Sequence, residues 1–275
     1  MLLLERLTDT QVFVLCTELR ADDILEKLFR TLFESLNVKH SHKVQQTMLE
    51  LMSDLIANTE TVSEELLEIS LGYLLKSSAK STPAAHLLAE TFFKANSDEL
   101  QSPVHTFFDS VLGMGKSSDS ELADSAYELI ETLNSINSGI LLTVLPQLEM
   151  QLLIEDVPKR KQTAELLARM FSAQGSQLIV QHKSLWQAYL KRHVDLEPKV
   201  RIVLAENVGA FLVHQPEASE EITKIAKMCV IDNHETVRVA AIQTIFATAS
   251  KFPHAVDSQL IEIAFDRRLD KKESV

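Results

Sequence analysis

The apolar positions of this chain fall into short helical stripes separated by polar breaks, and the stripes themselves recur. Val44 opens VQQTMLELMSDLI, Ala84 opens AAHLLAETFF, Leu122 opens LADSAYELIETL and Lys161 opens KQTAELLARMF. Val200 and Val237 open two more, and Val275 stands where another would begin. The starts are 37 to 40 residues apart. A second apolar run accompanies each: ILEKLFRTLF, ELLEISLGYLL, VHTFFDSVL, ILLTVLPQLEMQLL, LWQAYL, ITKIAKMCVI and LIEIAF. A helix–turn–helix unit of about forty residues is the size of an α-solenoid repeat. After 200, Val200, Val203, Leu204, Val208, Phe211 and Leu212 are apolar; after 237, Val237, Ala241 and Ile245 form one stripe and Val239, Ile242 and Phe246 another. A lone surface helix needs one stripe; two stripes imply neighbours on two sides, as in stacked repeats. The expectation is all-α: a right-handed α-solenoid of about six helix pairs over residues 1–275, one unit, with second helices starting near 44, 84, 122, 161, 200 and 237.

The punctuation agrees. Only 6 Gly and 7 Pro interrupt 275 residues, too few for a turn-rich β architecture. Pro158 and Pro198 stand just before helix starts, where a missing N–H costs nothing, and Pro216 and Pro253 fall between paired helices. The opening MLLLERL has neither the length nor the flanks of a signal peptide, and no apolar run approaches the ~18 residues of a membrane span. No Gly/Ser-rich or Pro-rich linker marks a domain boundary. Because the chain stops at a helix start, it is expected to be a piece or short form of a longer solenoid.

Three turns share one spelling: DLEPKVR at 195–201, DNHETVR at 232–238, and DKKESV at 270–275. The Val is the first core residue of the second helix, and the Asp sits near that helix's positive end. The pattern resembles the HEAT-repeat signature, in which turn Asp and helix Arg of stacked repeats form a hydrogen-bonded ladder. The resemblance implies that Asp195, Arg201, Asp232 and Arg238 are structural, and that Asp270 begins a rung whose Arg is missing.

Charge adds a division. Residues 1–137 hold 10 Lys+Arg against 22 Asp+Glu, whereas residues 138–275 hold 17 of each. The net charge of −12 argues against general nucleic-acid binding, because phosphate repels it. Lys191, Arg192, Lys199, Arg267 and Arg268 occupy matching phases of successive repeats. They are either a basic edge for an acidic partner segment or solvent-facing residues beside the ladder. Trp186 and Tyr189, at i and i+3, are either core or the aromatic anchors of a groove. PKRK at 158–161 reads as a solvated turn or a nuclear-localisation signal. Catalysis is not indicated. GKS at 115–117 lacks the Gly six residues before the Lys and a preceding strand. KHSHK at 39–43 offers two of the three or four ligands a metal wants. No cofactor is expected, and Cys16 and Cys229 read as buried thiols.

Several segments resemble one family in order: RTLFESLN (30–37), VSEELL (62–67), TFFDSVLGMGKSS (106–118), LLTVLPQLEMQL (141–152), ARMFSAQGSQL (168–178), SLWQAYLKRHVD (184–195) and LDKKESV (269–275). They are similar to the precocious-dissociation-of-sisters family of cohesin-regulating HEAT proteins. The resemblance implies a non-enzymatic nuclear scaffold, associated with chromatin through cohesin rather than by direct DNA binding. Its implied partners are the cohesin kleisin subunit, a Wapl-type release factor and the antagonists of that factor; no membrane is involved. A general HEAT adaptor, such as a phosphatase scaffold or transport receptor, is the competing reading.

Overall fold

The computed structural model describes residues 64–113 and 120–270, with Arg30, Thr31, Phe33, Gln46, Thr47, Glu50, Leu51 and Ser53 as helical positions before them. Among the described residues every regular element is a helix: α1 (Glu64–Tyr73), α2 (Lys76–Ser81), α3 (Pro83–Ala95), α4 (Gln101–Leu112), α5 (Ala126–Ile136), α6 (Leu145–Gln151), α7 (Val157–Ser172), α8 (Leu178–Gln181), α9 (Lys183–Leu190), α10 (Pro198–His214), α11 (Ser219–Val230), α12 (Glu235–Lys251) and α13 (Ser258–Asp266). Short 3-10 turns join several of them. The fold is a helical solenoid. The helix start expected near 44, the KHSHK turn, Cys16 and the GKS tripeptide lie outside the described residues.

Helices α3, α7, α10 and α12 begin one to four residues before the positions read from the apolar pattern. The pattern marks the first core residue, whereas the helix starts with its polar first turn. Pro83 and Pro198 open α3 and α10, and Pro158 lies in the first turn of α7. Asp156 caps α7 by accepting the Lys159 N–H at 3.0 Å. Helix α5 starts four residues later than expected because Ala123–Ser125 winds as a 3-10 turn first. After α7 the chain reverses at Gly175, whose φ of 77° is a left-handed conformation that side chains disfavour.

The chain forms two compact units, residues 1–147 and 148–275. In the first, α1, α3, α4 and α5 close over Leu66, Leu71, Phe92, Phe93, Val104, Phe107, Phe108, Leu129 and Leu133, all buried. The Phe92–Phe93 and Phe107–Phe108 rings meet edge-on, 5.6 and 5.1 Å apart. Polar ties join separate elements: the Lys76 N–H donates to Glu128 Oε1 at 2.6 Å, and Asn96 Nδ2 donates to Ser53 Oγ at 3.0 Å.

In the second unit, α7, α10 and α12 stack in sequence; α9 and α11 are the first-helix partners of α10 and α12, and α13 packs against α11 and α12. Val200, Val203, Leu204, Val208, Phe211 and Leu212 are all buried, so α10 is covered on two sides. On α12, Val237, Ala241, Ile245 and Ile242 are buried, but Val239 is half-buried and Phe246 exposed. The second stripe of α12 is therefore only partly used. The far ends of the second helices are latched. Buried Gln215 donates from Nε2 to Phe171 O at 2.8 Å and to Ala173 O at 3.1 Å, and His214 Nδ1 lies 2.8 Å from Ser172 O.

Helices α10 and α12 pack tightly at Gly209. A Cβ there would lie 2.0 Å from Thr248 Oγ1 and 3.2 Å from Thr244 Cγ2. Gly209→Ala is expected to cost about 1–3 kcal/mol by overpacking, despite the better helix propensity of Ala. Thermal denaturation checks this, and Gly209→Ala/Thr248→Ala should recover most of the loss because the clashing hydroxyl is gone. A single variant as stable as wild type would show that the helices simply move apart.

Candidate partner-binding edge

The turns that lead into α7, α10 and α12, together with the turn after α13, are locked by one repeated device. Arg160 donates through Nε and Nη2 to Asp195 at 2.9 and 3.0 Å. Arg201 donates in the same two-pronged way to Asp232 at 2.8 Å for both bonds, and Arg238 to Asp270 at 2.9 and 2.8 Å. The Nη1 of each arginine is used as well: it donates to backbone carbonyls six and five residues earlier. These are Ile154 and Glu155 for Arg160, Asp195 and Leu196 for Arg201, and Asp232 and Asn233 for Arg238. Two of the aspartates also organise their own turns. Asp195 Oδ1 accepts the Glu197 N–H at 3.0 Å, and Asp232 Oδ1 accepts the His234 N–H at 2.7 Å. The guanidinium fork matches a carboxylate geometrically, so each rung fixes both the distance and the tilt between consecutive turns.

Asp195, Arg201, Asp232 and Arg238 all lie in this ladder, and each Arg reaches forward to the next repeat's Asp. Asp270 is therefore an acceptor, paired with Arg238. The ladder also contains Arg160, from the basic run at 158–161. It is nearly buried and carries the first rung although its own turn has Ile154 where the later turns have Asp. The missing Asp hid it; the signal that could have found it is its 41-residue spacing from Arg201 behind a helix-opening Pro.

Charge is concentrated at Asp195, whose side chain is 3% exposed. Burial alone would raise its pKa. The hydrogen bonds from Arg160 and the Glu197 N–H, with the charges of Arg160 and Arg192, more than reverse this and hold it below the usual aspartate value. Cys229, a buried free thiol, is pushed up to about 12 by burial, with Asp232 adding to the effect.

The remaining predicted residues divide. Lys191 and Lys199 are exposed. Arg268 is exposed, with its guanidinium 4.3 Å from the Phe265 ring centre. Arg267 is half-buried, and its Nε has no hydrogen-bond partner. Arg192 is not a free surface charge: its Nη1 donates to Leu152 O and to Asp195 Oδ2, both at 3.1 Å, which makes it a brace for the ladder. Trp186 and Tyr189 are core residues rather than anchors on a groove. They are 2% and 0% exposed and sit among Phe171 and Phe211, with ring centres 5.1–5.8 Å apart. The indole N–H of Trp186 donates to Glu221 Oε2 at 2.9 Å, whereas the Tyr189 hydroxyl is buried without a partner. Amphipathic aromatic side chains fill a two-sided core as readily as they fill a groove, so their i, i+3 spacing did not discriminate. Among the described residues no cluster of three His, Cys, Asp or Glu side chains could hold a metal ion, and no helix is long and apolar enough to cross a membrane.

The stacked helix pairs, the ladder and the exposed cations on its edge define a HEAT-type helical-repeat protein. The solved structure titled "Structure of the Pds5-Scc1 complex and implications for cohesin function" shares this fold, with a TM-score of 0.81 at 14% identity over 96% of this chain and 43% of that one. The profile of the family described as "Sister chromatid cohesion protein PDS5 protein" matches residues 1–275, and the chain belongs to that family. It is 35% identical over 271 residues to sister chromatid cohesion protein PDS5 homolog B of Homo sapiens and to homolog B-A of Xenopus laevis, in each case over 98% of this chain and 19% of the relative. It is 34% identical to homolog A of Danio rerio, over 98% of this chain and 20% of the relative. The chain thus spans about a fifth of the length of these relatives.

Two outcomes are expected of the ladder. Asp232→Ala removes a turn cap, worth about 0.5–2 kcal/mol, and also strands the buried Arg201, so the total loss should approach the ~3–5 kcal/mol of a broken buried pair; denaturant unfolding measures it. Asp195 has a lowered folded pKa, so its contribution is present above its unfolded value of 3.8 and is lost as pH falls through the folded value. The stability gap between wild type and Asp195→Asn should therefore be full at neutral pH and close in the acid range below that value. A gap that stays constant through the acid range would show that folding leaves the Asp195 pKa unshifted.

Proposed function

We propose that this chain is a non-catalytic segment of a cohesin-associated scaffold in sister chromatid cohesion, and that its ladder edge holds a segment of the cohesin kleisin subunit. One observation carries the reading: the rungs 160–195, 201–232 and 238–270 set successive turns in a row, and Lys191, Lys199 and Arg268 remain exposed on it. Family membership supports the cohesion role, and the related fold is titled as a complex with Scc1. A rigid row of cations steers an anionic segment onto its site, which speeds association more than it tightens the final complex. The same scaffold would carry a Wapl-type release factor and its antagonists on its other faces and act at chromatin in the nucleus, through cohesin rather than by contact with DNA.

The test is capture from nuclear extract, followed by association kinetics with purified kleisin. Wild-type chain is expected to recover cohesin ring subunits. Lys191→Glu/Lys199→Glu/Arg268→Glu should keep its melting temperature, because none of the three is buried, and should associate several-fold more slowly with a flatter dependence on salt. Recovery of no cohesin subunit by wild type would overturn the proposal. An unchanged rate and salt dependence in the variant would remove the basic edge from it.

A further inference from the structure

At the ends away from the ladder, α10 and α12 finish in turns of one form. His214-Gln215-Pro216 ends the first and Lys251-Phe252-Pro253 the second, at the same 37-residue offset that separates Arg201 from Arg238. Gln215 (φ −129°, ψ 65°) and Phe252 (φ −134°, ψ 68°) share a backbone conformation, and each leads into a 3-10 turn opened by its proline. The two turns differ in what they offer the preceding repeat. Gln215, 2% exposed, donates to Phe171 O and Ala173 O, and His214 Nδ1 lies 2.8 Å from Ser172 O, so side chains of the next repeat close the end of α7. At the equivalent joint Phe252 has no side-chain donor and is 50% exposed. Lys251 is exposed too, and among the described residues its side chain makes no hydrogen bond. The end of α10 therefore lacks the donors that close α7. Pro216 adds to the deficit, since without an N–H it cannot satisfy Leu212 O four residues earlier.

The open joint is a groove of about 860 Å³, lined among others by Leu212 and Val213 of α10, Thr223 and Lys227 of α11, and Phe252 and Val256 after α12. Its charges nearly cancel. Lys224, Lys227, Lys251 and neutral His254 share the lining with Glu220 and Asp257, and Glu217 and Glu221 stand beside it on the same turn and helix. Lys224 is paired with Glu220 at 2.7 Å, Asp257 caps α13, and Glu221 already holds Trp186 and Gln187. Three lysines against four carboxylates leave no field to hold a phosphate or a polyanion. What the joint lacks is specific: donors for the carbonyl end of α10 and cover for the Phe252 ring. A partner's carboxylate would be repelled by the negative end of α10, and a partner's cation would meet Lys227 and Lys251 on the walls. An apolar side chain would cover Phe252 and leave the carbonyls bare. The equivalent joint of this same chain shows the group that fits, an uncharged side-chain amide.

We infer that the joint between α10 and the turn after α12 is a docking site for an extended partner segment that sets a glutamine amide on the end of α10 and packs its neighbouring residue on Phe252, as Gln215 and Pro216 do within the chain one repeat earlier. The site lies at the opposite helix ends from the ladder edge and does not depend on kleisin binding there. The probes are three labelled peptides, identical but for a central Gln-Pro, Leu-Pro or Glu-Pro, titrated against the full chain by fluorescence anisotropy. The Gln-Pro peptide is expected to bind about tenfold more tightly than the others, the worth of one or two neutral hydrogen bonds. Lys251→His/Phe252→Gln gives the joint the latch that His214 and Gln215 form, so it should raise the melting temperature by a few degrees and weaken the Gln-Pro peptide about tenfold. Should that variant unfold, Phe252→Gln alone makes the same test. Phe252→Ala removes the ring without supplying an amide; it should weaken all three peptides and keep the preference for Gln-Pro. Equal binding of the three peptides by wild type, undiminished Gln-Pro binding by a folded Phe252→Gln variant, or loss of the preference in Phe252→Ala would each overturn the site. None of these outcomes bears on capture of cohesin subunits, so either reading can fail alone.

Discussion

Each arginine of the ladder does two things at once, and the second unit depends on that coupling. Its Nε and Nη2 grip the aspartate of the following turn, while its Nη1 grips the backbone of its own. The charge is therefore satisfied on both sides after it has been taken out of water. Burying an ion pair costs several kcal/mol per ion, and the pair often does no better than break even against apolar residues of the same size. What it supplies is register. Apolar helix faces can slide or rotate against one another at small cost, but a two-pronged guanidinium–carboxylate contact has one distance and one angle.

Register at the turns has consequences for the surface. The Gln215 latch fixes the far ends of α7 and α10, so these second helices are held at both ends with an aromatic cluster between. A partner then meets a preformed edge and does not have to order one, which lowers the entropic part of the binding cost. The same stacking turns positions that are about forty residues apart in sequence into neighbours. It thereby converts a weak sequence period into a row of ion-paired rungs, Arg160–Asp195, Arg201–Asp232 and Arg238–Asp270.

How much of this was legible varies with the kind of residue. The helix pairs could be read because apolar spacing is a local property that does not depend on the partner. Asp195, Arg201, Asp232 and Arg238 were legible because their repeats are spelled alike. Arg160 was not, since its own turn has Ile154 where the turns of Arg201 and Arg238 have Asp195 and Asp232. Arg192 looked like a free cation beside Lys191, yet it braces Asp195 from three residues away. Trp186 and Tyr189 looked equally suited to a groove and a core.

The sequence by itself determined the helical class, the length of the repeating unit and the family, because each is carried by local periodicity or by residue identity along the chain. Only the tertiary structure decided which cations are free and which are spent, that Trp186 and Tyr189 lie inside, and that Gln215 is buried in one joint while Phe252 stands exposed at the equivalent one. The physical reason is that exposure and pairing are set by what lies across from a residue. In a stacked fold, that neighbour comes from the adjacent repeat rather than from the adjacent residue.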